Sequence, residues 1–177
     1  MKINNLLGDF RMKKLLRVVT ILLILPILVS LGSCKKQVIE ADEFIEIMED
    51  KFDSDIKEFG KYGEMDDYVV AREKDLDYII QFKVYPRVGY AKEEYEGMLK
   101  SLKAEIESGK YGSKASVKES GSGEYKKFVF KSEYDQGDDE LMIVMVQFEK
   151  TVIMSFVGYD DKDIADEVLK AFKELGY

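Results

Sequence analysis

Residues Leu141-Met142-Ile143-Val144-Met145-Val146 are apolar at every position, and this run restricts the possible fold more than any other stretch of the domain. A strand that alternates polar and apolar side chains needs one covering layer, whereas a strand apolar on both sides needs two. The segment therefore belongs inside a sheet with packed layers above and below it. Of the 177 residues, 46% are hydrophobic, enough to build the core of one ordinary domain.

The remaining periodicities supply the partners for that strand. Residues 42–59 place Phe44, Ile47, Met48, Phe52, Ile56 and Phe59 on one helical stripe, with Asp42 as N-cap and Gly60 as stop. Residues 68–73 and 77–85 alternate as strands around a turn at Lys74-Asp75, with Tyr78, Ile80, Phe82 and Val84 sharing one face. A second helix is expected over 91–108, from Tyr95, Met98, Leu99, Leu102 and Ile106. Four strand-like runs follow at 113–120, 125–133, 141–149 and 152–159. A last helix over 163–175 carries Ile164, Val168, Phe172 and Leu175, with Asp160 or Asp161 as its cap. Short intervening turns imply antiparallel neighbours. The expected fold is α+β: a mainly antiparallel sheet of about six strands with three helices on both faces, in the order α-β-β-α-β-β-β-β-α. That order resembles the PsbP/Mog1-like arrangement; a cystatin-like or NTF2-like sheet curved around one helix is the alternative.

Composition narrows the chemistry. The chain has no His and a single Cys, which excludes Cys/His zinc sites, His general bases and intrachain disulfides. With 27 basic and 35 acidic side chains the net charge is −8, the wrong sign for a phosphate backbone, so no nucleic-acid partner is expected.

The N-terminus is organised differently. Lys13, Lys14 and Arg17 precede 14 uncharged residues, Val18 to Leu31, the length of a signal-peptide core and short of the ~20 residues that span a bilayer. Leu31-Gly32-Ser33-Cys34 follows. Over these first 34 residues the chain resembles the bacterial lipoproteins, whose lipobox joins a Leu and two small residues to a Cys. The resemblance implies a signal peptide over 1–33, cleavage between Ser33 and Cys34, and a diacylglyceryl group on the Cys34 thiol with palmitate-type acylation. Met12-Lys13-Lys14-Leu15 opens as signal peptides do, so Met12 is an expected start of translation. The processed chain would hold 22 basic and 34 acidic residues, a net of −12, so its membrane partner would be held through lipid rather than through a basic surface. Residues 34–41 would form a short tether, seven residues of which reach roughly 23 Å when stretched, and 42–177 a single domain.

Candidate sites in that domain are sparse. The acidic turn Asp135-Gln136-Gly137-Asp138-Asp139-Glu140 could hold Ca²⁺ but misses the calcium-loop spacing, and fits a solvated hairpin turn. Asp160, Asp161 and Asp163 are what a helix N-terminus favours by itself. Ser54 and Lys57 match a Ser-x-x-Lys string in mid-helix, without the companion strings of penicillin-binding enzymes. Gly121-Ser122-Gly123 lacks the flanking pattern and the His of a nucleophile elbow. The sequence thus assigns no catalytic residue, metal or cofactor. All 11 Tyr lie beyond residue 61, and six fall between Tyr62 and Tyr95. Tyr85-Pro86-Arg87-Val88-Gly89-Tyr90 places a cation between two rings at a strand–helix joint, although tyrosine covers sheet rims equally well. Two functions are consistent with this inventory: a lipid-anchored binding or interaction module outside the cytoplasm, accessory to an envelope assembly, or a carboxylate-dependent hydrolase of an envelope glycan, which needs paired acids ~5 to 9.5 Å apart.

Overall fold

A computed structural model describes residues 38–75, 77–111, 115–132, 140–159 and 162–177. Helix α1 (Ala41–Phe52) is followed by strands β1 (Asp55–Glu58), β2 (Asp67–Arg72) and β3 (Ile79–Val84) and by helix α2 (Val88–Glu107). Strands β4 (Ser116–Ser122), β5 (Tyr125–Ser132), β6 (Glu140–Phe148) and β7 (Thr151–Tyr159) then lead into helix α3 (Lys162–Glu174). All strand pairs are antiparallel, in one seven-stranded sheet of order β1-β2-β3-β7-β6-β5-β4. The class is α+β with helices on both faces, as the double-sided apolar run requires; a sheet wrapped around one helix is not what forms.

Residue alternation sorts the core into two layers. Val69, Ala71, Ile80, Phe82, Val144 and Ile153 face one side, where Phe44, Met48 and Phe52 of α1 and Val168 and Phe172 of α3 cover them. Phe128, Phe130, Ile143, Met145, Val152 and Met154 face the other, beneath Ala91, Tyr95 and Leu102 of α2. Val144 pairs with Val129 and Ser155, and Ile143 with Phe130 and Phe156. Consecutive β6 residues therefore serve opposite cores, which is why no position from Met142 to Val146 tolerates polarity.

The first helix is shorter than its apolar stripe suggests. It stops at Phe52 because Asp53 adopts a left-handed conformation (φ 46°, ψ 37°) and its N–H bonds back to the Met48 carbonyl. Ile56 then pairs with Ala71 in β1, while Phe59 meets Tyr68 on the opposite face. Asp53, Ser54 and Asp55 favour turns over helix interior, and β2 offers an unpaired edge; sheet hydrogen bonds outweigh the helical spacing. The strand count accordingly rises from six to seven. Glu40, not Asp42, occupies the α1 N-cap, without a side-chain cap bond, and Asp42 sits in the first turn. Ser54 is buried at the helix–strand joint and Lys57 lies on β1, so the Ser-x-x-Lys string is not helical.

The β2–β3 hairpin forms as expected, its turn held by the Glu73 carboxylate, which accepts from the N–H groups of Asp75 (2.8 Å) and Asp77 (3.3 Å). Gly121, one residue before the end of β4, has φ 111°, and an added Cβ there would lie 2.3 Å from the Tyr125 carbonyl oxygen. Gly121-Ser122-Gly123 is thus a close approach of two strands rather than a nucleophile turn.

Burial holds several tyrosines neutral. Tyr95 and Tyr177 are pushed up to about 12, in both cases chiefly by loss of water. Burial raises Tyr78 and Tyr85 further, with Glu167 beside Tyr78 and Glu94 beside Tyr85 adding to the effect. An unfolded tyrosine loses its proton near pH 10 while the folded one keeps it to higher pH, so the unfolded state binds fewer protons there and stability falls as pH rises. Each such tyrosine costs about 1.4 kcal/mol per pH unit over that interval. Urea midpoints are expected to hold steady from pH 7 to 9 and drop steeply between pH 10 and 12. A flat profile to pH 12 would contradict the burial of these phenols.

A groove on the open half of the sheet

Helix α2 packs against β6 and β7, and among the described residues no helix lies over the same face of β1, β2 and β3. Alternation and register decide what lines that surface. Tyr68, Val70 and Arg72 of β2 point to it, paired across the sheet with Lys83, Gln81 and Ile79 of β3. From β1, Lys57 lies opposite Val70 and Asp55 opposite Arg72. The result is a groove of about 390 Å³ with Val70 and Ile79 on its floor and polar side chains around them.

One end is aromatic. Phe59 and Tyr68 stack at 4.9 Å between ring centres, and Tyr62 lies 5.8 Å from Tyr68. Lys57 Nζ sits 4.9 Å from the centre of the Phe59 ring and Lys83 Nζ 5.8 Å from that of Tyr68, so cations cap the stack. Burial raises the Tyr68 phenol above its ordinary value, with Tyr62 adding to the effect. Tyr68 Oη donates to Gln81 Oε1 at 3.3 Å, which leaves the Gln81 amide N–H groups as donors.

The charges are unevenly satisfied. Lys83 pairs with Glu94 of α2 at 3.1 Å. Arg72 and Lys57 form no ion pair among the described residues, and Asp55 is the one carboxylate lining the groove. On a chain of net charge −8, this is a local concentration of unpaired donors.

A second groove, about 550 Å³, runs along α2 past Glu93, Glu94, Glu105, Met98 and Phe156. Two of its three acids are engaged: Glu94 holds Lys83, and Glu105 accepts from Tyr111 and Lys110, which keep its carboxyl below the usual range. A general acid needs the opposite shift.

The structure disperses the tyrosine-rich segment. Tyr78, Tyr85 and Tyr95 are buried, Tyr62 and Tyr68 border the open face, and Tyr90 is exposed in the first turn of α2. Val88, Gly89 and Tyr90 belong to that helix, which begins before the expected Ala91, and Arg87 is its N-cap with no side-chain cap bond. The candidate pairing of Arg87 with two rings does not form among the described residues. The groove residues Lys57, Phe59, Arg72 and Gln81 escaped sequence reasoning. The available signal was the alternation of Asp55, Lys57 and Phe59 against Ile56, which competes with the helical stripe. Ser33, Cys34, the acidic positions 135–139, Asp160 and Asp161 lie outside the described residues. Among the described residues no helix is long and apolar enough to cross a membrane, and no group of three acidic, His or Cys side chains could hold a metal. No family model, curated protein or solved structure matches the chain.

Proposed function

We propose that the chain is a lipid-anchored binding or interaction module held outside the cytoplasm of a bacterial cell, with Cys34 as its attachment point and the β1–β3 groove as its binding face. The observation that carries the binding role is the set of donors on Lys57, Arg72 and Gln81 left without acceptors, among the described residues, around an apolar floor. The anchor rests on Leu31-Gly32-Ser33-Cys34 and the uncharged run before it. The observed order α-β-β-β-α-β-β-β-β-α adds one strand, β1, to the order on which the PsbP/Mog1-like reading rests. A carboxylate-dependent hydrolase stands second, because two of the three acids lining the larger groove, Glu94 and Glu105, are tied to cations.

Cys34→Ala is expected to abolish incorporation of labelled palmitate in a bacterial host and to leave the signal peptide uncleaved. Label retained by the variant, or a wild-type chain that keeps residues 1–33 by mass spectrometry, would overturn the anchor.

A further inference from the structure

We propose that the β1–β3 groove binds a small organic carboxylate with an apolar body, the carboxylate bridging Arg72 and Lys57 and the body lying on Val70 and Ile79. The inference rests on the groove being the binding face. Register carries it: Lys57 and Asp55 flank β2 at Val70 and Arg72, so residues Lys57 and Arg72 are diagonal neighbours on adjacent strands, and the Lys57 ammonium, which rests 4.9 Å from the centre of the Phe59 ring, would swing toward Arg72 to meet a bound carboxylate. Gln81, paired with Val70 on the other side, turns its amide oxygen to Tyr68 and keeps its N–H groups for an acceptor. Three donors thus surround one apolar patch. Exposed cations alone hold an anion weakly, but an apolar body on Val70 and Ile79 displaces water beside the charges and strengthens them. The guanidinium fork matches a carboxylate in particular. The groove's volume, about 390 Å³, suits a small molecule. Asp55, opposite Arg72, competes for the same guanidinium and sets a ceiling on affinity.

The test uses the full ¹⁵N-labelled chain in neutral detergent micelles, observing arginine Nε–Hε signals by NMR. The sequence has four arginines, and the signal missing from Arg72→Gln identifies that residue. Sodium benzoate, sodium acetate and benzyl alcohol are titrated at constant ionic strength. Benzoate is expected to move the Arg72 signal saturably and leave that of Arg87 in place, with acetate about tenfold weaker for want of an apolar body and benzyl alcohol without effect. Lys57→Gln should weaken benzoate by about tenfold and Asp55→Asn should tighten it. Because Asp55, Lys57 and Arg72 are all exposed, the variants should retain wild-type circular dichroism. Benzyl alcohol moving the groove signals as strongly as benzoate would overturn the carboxylate while leaving the groove as a binding face. Acetate equal to benzoate would mean an adventitious ion only. No response to any probe would overturn both the ligand class and the groove.

Discussion

Val144→Asp is expected to leave the chain largely unfolded in water at neutral pH. Val144 has 0% exposure and lies on the β6 face packed beneath α1 and α3. Its cross-strand neighbours are Val129 and Ser155. A carboxylate placed there loses its water and meets no cation on either neighbouring strand position; the one hydroxyl offered is Ser155 Oγ, itself buried without a hydrogen-bond partner. That hydroxyl offsets a small part of the desolvation, and the remainder costs several kcal/mol whether the group stays ionised or takes up a proton. Typical domains are held by about 5 to 15 kcal/mol in total. Val117→Asp is the control: Val117 is 45% exposed on edge strand β4, and a change there should move stability by no more than about 0.5 kcal/mol. Far-UV circular dichroism and urea melts of the two variants decide the matter. Equal midpoints would mean that β6 is not covered on this side.

Phe82→Ala should destabilise the domain by about 3 to 5 kcal/mol, as removal of a fully buried aromatic ring usually does. Phe82 has 0% exposure, and its ring stacks on Phe44 of α1 at 4.8 Å between centres. The substitution removes that stacked contact between β3 and the first helix and opens a cavity in the core. Gln81→Ala, one residue away on the opposite face, should cost about 1 kcal/mol, the value of its bond with Tyr68. A chevron or equilibrium urea series gives both numbers. A Phe82→Ala midpoint indistinguishable from that of Gln81→Ala would reverse the assignment of β3 faces.

The faces of β3 and β6 were legible because alternation is a local property and burial follows from it. Tyr78, Ile80 and Phe82 declare one core, and the unbroken run at Leu141 declares two. The boundary at Asp53 was not legible in the same way. Ile56 satisfies a helical stripe and a strand equally, and what separates them is the free edge of β2, supplied by residues well along the chain. The groove was hidden for a related reason. It exists because α2 covers β6 and β7 and, among the described residues, nothing covers that face of β1 to β3, and no spacing within residues 55–81 reports where a helix beginning at Val88 will lie. Arg72 and Gln81 look like ordinary polar strand residues until the third layer is placed. The tyrosines misled for the opposite reason, since closeness in sequence suggested a cluster that alternation then split between core and surface.

The strand order has a consequence for how the chain reaches this state. Every pairing in the sheet joins consecutive strands except one, β3 with β7, where Ile80 meets Ser155 and Phe82 meets Ile153. The sheet is therefore two meanders, each able to assemble by short hairpin closures, welded along a single seam that must await synthesis and ordering of nearly everything between. Loop closure makes that junction the slow event in folding. Seam substitutions such as Ile153→Val should therefore lower the folding rate if the weld forms in the transition state, whereas lesions at the outer strands should act mainly by speeding unfolding. On a ribosome, the first meander would emerge with its β3 edge bare and apolar, and stay so until β7 arrives to close it.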